Sequence, residues 1–132
     1  MGWKVNSFAG LALAAVAAAV VVPTVPGHYL ASDDEVKGAV RTMDAATADL
    51  RAAVATELAA SPRARPGMSD RHHPKIGALQ VHVDEDGAIF VRNPQYDLVL
   101  RYAPQRVAKG IEWHCSVAPG KYAIEGCTPA PG

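Results

Sequence analysis

The sequence predicts an α+β fold in which one long N-terminal helix packs on a four-stranded antiparallel sheet. Three observations predict it. A capping box, Ser32-Asp33-Asp34-Glu35, opens a stretch with apolar residues at helical spacing. From Ala78 onward the apolar period changes to two, between turn signals. The only two cysteines, Cys115 and Cys127, bracket a short loop near the C-terminus and tie the last strand to the tail.

Taken in order, residues 8–22 are uninterrupted apolar sequence, nearly half of it alanine, with Lys4 before it and Asp33-Asp34-Glu35 after it. A helix of about 18 residues rises roughly 27 Å, close to the thickness of a hydrocarbon core. The flanking charges favour an N-terminus in the cytoplasm and the remainder outside. Three readings compete: a retained membrane anchor over residues 8–25, a cleaved secretory signal, and a buried helix of a soluble protein. Residues 1–31 are therefore set apart from a globular domain over residues 32–132.

In that domain, Val36, Ala39, Val40, Met43, Leu50, Ala53, Val54 and Leu58 recur as one apolar stripe, which predicts a single helix over residues 33–60, stopped by Pro62. Residues 61–75 read as a loop, with Pro62, Pro66, Gly67 and Pro74 and the cations Arg63, Arg65, Arg71 and Lys75. Four strands follow: Leu79, Val81 and Val83; Ile89 and Val91 after the Asp86-Gly87 turn; Leu98, Leu100 and Tyr102 after Asn93-Pro94; and Ile111, Trp113 and Cys115 after a longer loop over residues 104–110. Each strand has one strongly apolar face, as a sheet covered on one side requires.

The net charge is zero, so no global field points to nucleic acid or to an anionic surface. A lone cysteine pair behind an apolar N-terminal segment reads as one disulfide of an exported protein. A redox pair is more often Cys-x-x-Cys, and a metal site needs more ligands at close spacing. His72, His73, His82 and His114 read as solvated, and no cofactor or metal is expected. The sequence holds no nucleophile elbow and no glycine-rich phosphate loop. Asp84, Glu85 and Asp86 read as hairpin-turn chemistry. The chain is therefore expected not to be an enzyme and to have no small-molecule substrate.

Trp113-His114-Cys115, the stretch Pro119-Gly120-Lys121-Tyr122-Ala123-Ile124 and Cys127 together resemble the C-terminal disulfide loop of the type IV pilin family. Leu50-Arg51-Ala52-Ala53-Val54 resembles the family's amphipathic half-helix, and Gly87-Ala88-Ile89-Phe90-Val91 its second strand. The resemblance covers most of residues 36–127 and implies a pilin-like roll. One departure stands out. Where the family has a processing glycine followed by a buried register glutamate, this chain reads Ser7-Phe8-Ala9-Gly10-Leu11-Ala12-Leu13, and its first acid is Asp33.

The resemblance implies a structural or adhesion subunit of a type IV pilus or a related system, held in the inner membrane with its head in the periplasm or outside the cell. Its partners would be other pilin-like subunits or assembly components. Two alternatives are a soluble periplasmic or secreted binding protein with a pilin-like head, and a DNA-binding minor pilin. The candidate partner-binding residues are Arg63, Arg65, Arg71 and Lys75 in the basic loop and Lys121 in the disulfide loop, because exposed loops carry recognition. Four cations without interleaved aromatics make a weak nucleic-acid signal.

Overall fold

The computed structural model describes residues 31–131. Ser32–Gly132 forms one compact unit. The apolar segment 8–22, with its anchor and signal readings, lies outside the described residues. Among the described residues no helix is long and apolar enough to cross a membrane.

Helix α1 (Asp33–Ala46) starts where the capping box predicts. The Ser32 hydroxyl accepts the Glu35 N–H at 3.1 Å, and the Ser32 carbonyl accepts the Val36 N–H. The Glu35 carboxylate does not fold back to close the box. It accepts the Tyr96 hydroxyl at 3.2 Å and so ties the helix start to a strand-connecting turn. Val36, Ala39, Val40 and Met43 form the buried stripe.

The single helix predicted over residues 33–60 is in fact two. Thr47 has φ −116° and ψ 9° and separates α1 from α2 (Ala48–Ala60). Its buried hydroxyl donates to the Met43 carbonyl at 2.9 Å, a back-bond that competes with regular helix geometry. The Ala46 carbonyl, freed by the break, accepts from the Arg71 guanidinium at 2.8 Å. Val54 and Leu58 bury the second helix.

The predicted four-stranded antiparallel sheet is likewise corrected, to six strands in a mixed sheet. The strands are β1 (Gly67–His73), β2 (Gly77–Val83), β3 (Ile89–Asn93), β4 (Leu98–Val107), β5 (Gly110–Ala118) and β6 (Cys127–Pro129). They lie side by side in chain order, and only the β5–β6 pair is parallel. β1 occupies much of the predicted 61–75 loop. It is an edge strand without apolar alternation, held by a full ladder from Gly67↔Val83 to His73↔Gly77. β4 runs on to Val107, into the predicted 104–110 loop, and β5 begins at Gly110, which shortens the connection to a tight turn. β3 ends at the Ile89↔Tyr102 pair, so Pro104 has a ladder partner on the β5 side alone and is tolerated there.

The core lies between the helices and one sheet face. Leu79, Val81, Ile89, Val91, Leu98, Leu100, Tyr102, Cys115 and Val117 point into it. The β2–β3 turn is close-packed against α2. Asp84 Oδ1 accepts the N–H groups of Asp86 and Ala88 at 3.0 Å each, so this acidic residue serves the turn. Gly87 has φ +89°, and a Cβ there would lie 2.8 Å from Leu58 Cδ1 and 3.2 Å from Val54 Cγ1. Gly87→Ala therefore combines left-handed backbone strain with overpacking and should cost about 2–4 kcal/mol. Urea denaturation measures it; a cost under about 0.5 kcal/mol would show that α2 yields freely at this contact.

Tyr102, on β4, sends a second polar group toward the helix break, beside that of Arg71. Its hydroxyl donates to Asp44 Oδ1 at 2.7 Å, and the Arg51 guanidinium lies 4.2 Å from its ring centroid. Burial, followed by the Asp44 hydrogen bond, pushes the phenol pKa well above its usual value. The folded state thus holds this proton more tightly than the unfolded chain does. That stability is fully present below about pH 10 and is lost as pH rises through the folded pKa. Denaturant midpoints should fall as pH rises above about 10, and Tyr102→Phe should flatten that fall while lowering stability at neutral pH. An equally steep alkaline fall in the variant would assign it to other groups.

Candidate functional site

The C-terminal tail is built onto β5 by a covalent and a hydrogen-bonded seam. Cys115 and Cys127 form a disulfide with a Cα–Cα distance of 4.5 Å, closing a loop of sequence separation 12. Beyond it, the Thr128 hydroxyl donates to the Cys115 carbonyl at 3.3 Å and the Ala130 N–H to the Val117 carbonyl at 2.8 Å. The loop itself contains one 3-10 turn, Gly120–Tyr122. Lys121 projects from it, with its ammonium 3.9 Å from an Asp33 carboxylate oxygen and 4.9 Å from the Tyr122 ring centroid. Trp113 lies half-buried on the sheet face that carries Cys115. The disulfide loop is thus a fixed surface beside the start of α1.

The other four candidate cations have separate environments. Arg71, on β1, makes a fork with Asp49 (Nη1–Oδ1 2.8 Å, Nη2–Oδ2 2.7 Å) as well as holding the Ala46 carbonyl. The fork lowers the Asp49 pKa and raises that of Arg71, each mainly through the shared hydrogen bonds. Arg71 therefore serves the joint between the two helices. Arg63 pairs with Glu85 at 2.9 Å on the exposed surface. The Arg65 backbone N–H donates to the Glu57 carboxylate at 2.8 Å, which leaves its side chain exposed near Arg63. Lys75 lines a different depression with Arg41, Thr42 and His73. The loop cations thus form two local groups and one structural fork rather than one stripe.

Sequence reasoning passed over the sheet face opposite the helices. There the ladder brings Met68, His82, Phe90, Arg101 and Ser116 into one row across β1 to β5. The His82 and Phe90 rings stack with centroids 5.9 Å apart and planes inclined by 29°. The Arg101 guanidinium lies 5.7 Å from the Phe90 centroid. Met68 is 84% exposed. A depression of about 450 Å³ is lined by Met68, Asp70, Gln80, His82, Phe90 and Arg92. The signal for it was Phe90, an aromatic in the polar phase of its strand.

Among the described residues, no three His, Cys, Asp or Glu side chains gather as a metal site. Comparison with protein-family models, with curated proteins and with solved structures gives no match for this chain.

Proposed function

We propose that this chain is a pilin-like, non-enzymatic structural or adhesion subunit of a type IV pilus or a related surface system, working by helix packing and by recognition through its fixed loops. The observation that carries the reading is the disulfide-closed tail: Trp113-His114-Cys115 on β5, Cys127 on β6 and the loop between them beside the start of α1. A disulfide supports an oxidising compartment and therefore export. The partners this reading implies are other pilin-like subunits or assembly components, met through the loops that bear Arg63, Arg65 and Lys121. The missing processing motif favours a second reading, a soluble periplasmic or secreted binding protein built on this two-helix, six-stranded domain.

Intact mass and N-terminal sequence of the protein from its native cells, with thiol labelling and shear fractionation, test both. The first reading expects residues 8–22 retained, no reactive thiol and release with sheared surface filaments. A start near residues 27–32 in the periplasm or medium selects the second. Two free thiols in a cytoplasmic protein overturn both.

A further inference from the structure

We infer that the open face of the sheet is a stacking platform for single-stranded nucleic acid, centred on His82 and Phe90. The inference is independent of the proposed surface role and uses none of the loop cations. Antiparallel strands are about 4.8 Å apart, so Met68, His82, Phe90 and Arg101 stand as successive rungs on one face. The two inner rungs are already a π-stack, and Arg101 extends it with a planar cation on the β4 side.

The depression opens on the β1 side of that stack, and its volume of about 450 Å³ falls within the range of small-ligand sites. A planar ring entering it meets the imidazole and phenyl groups and is covered at its outer margin by the Met68 thioether. Stacking of this kind tolerates any base, because every base has a π-face. The rim supplies what the ring edge and backbone of a nucleotide need. Asp70 and Gln80 offer hydrogen-bond acceptors for amino groups on a base. Arg92, exposed and steadied by a 3.2 Å hydrogen bond to Gln80, lies two residues along β3 from Phe90. Arg92 and Arg101 thus flank Phe90 with two cations, while the carboxylates of this face stand off the stack, Asp70 at the β1 margin and Glu112 two same-face pairs beyond Ser116 on β5. Rings on an open sheet face and two flanking arginines match an unstacked strand with its phosphates. A stiff duplex hides its base faces and has nothing to offer the rings.

The test uses the full chain in detergent solution and a fluorescein-labelled 12-mer of deoxycytidylate, followed by anisotropy at 50 mM salt and above. Saturable binding is expected, with a log–log salt slope of about −1.4 for two phosphates. Phe90→Ala should weaken it by about tenfold or more, and Arg92→Gln or Arg101→Gln should each reduce the slope by about 0.7. Phe90→Leu, which keeps an apolar side chain at this position, decides the matter should the alanine variant unfold: affinity must still fall, and Phe90→Tyr must retain it. Absence of saturable binding overturns the inference. Equal affinity in Phe90→Leu overturns it, as does equally tight binding of a blunt duplex or of polygalacturonate, since each would show charge attraction without stacking.

Discussion

Removing the disulfide is expected to lower the melting temperature by about 10–20 °C. In the chain-entropy model a closed loop of this size contributes about 3 kcal/mol. For a domain near 100 residues each kcal/mol moves the midpoint by about 4–8 °C. Cys115→Ser, Cys127→Ser and the wild type under reductant should coincide, because all three lose the same link. Hydrogen exchange should localise the early loss to the β6 seam, at the Ala130 amide, while the β2–β4 amides stay protected at moderate temperature. A reduced protein that melts within about 2 °C of the oxidised one would show that the ladder and the Thr128 and Ala130 bonds suffice to hold the tail. The export argument would then lose its structural motive.

Asn93→Ala is expected to cost about 2–5 kcal/mol. Asn93 is fully buried at the end of β3. Its amide nitrogen donates to the Ile76 carbonyl at 3.1 Å, and its amide oxygen accepts the Tyr96 N–H at 3.0 Å. One side chain thereby joins the turn before β2 to the turn before β4. Truncation leaves two backbone groups without partners and opens a small void, each unpaired group costing about 1–3 kcal/mol. Asn93→Asp should fare no better. A carboxylate can accept from Tyr96 but has nothing to donate to Ile76, and burial resists its charge. Denaturant titration should show a shifted midpoint with an unchanged slope. A cost below about 1 kcal/mol for the alanine variant would mean that solvent reaches both backbone groups.

The start of α1 and the apolar face of each central strand were legible because their cause is local. Ser32 and Glu35 are three residues apart, and Leu79-Val81 or Leu98-Leu100-Tyr102 alternate within one strand. The helix break was not legible. Met43, Thr47, Leu50, Val54 and Leu58 keep helical spacing straight through it, so the stripe continues while the backbone does not. β1 was hidden because Gly67–His73 carries no apolar alternation; its register comes wholly from β2. β6 is three residues long and placed by the disulfide, which no local period records. The basic residues were legible by type and not by partner. Arg71 meets Asp49 and Arg63 meets Glu85 across 22 residues of chain in each case, and only the fold decides which charge is already answered. The same holds for Phe90. Ile89 and Val91 set the inward phase of β3, so the outward position of Phe90 was legible, while its ring neighbours His82 and Arg101 come from adjacent strands that only the register identifies.

The order of the sheet bears on how the chain reaches this state. Every strand from β1 to β5 pairs with its immediate successor, so each new rung needs only the segment just before it. Such local pairing keeps loop-closure entropy small and favours rapid folding. The two sulfur atoms belong to the last such step and are each other's only cysteine partners in the chain. Oxidation therefore pins one short parallel strand onto a five-stranded meander that can zip in sequence, with no competing pairing to shuffle away.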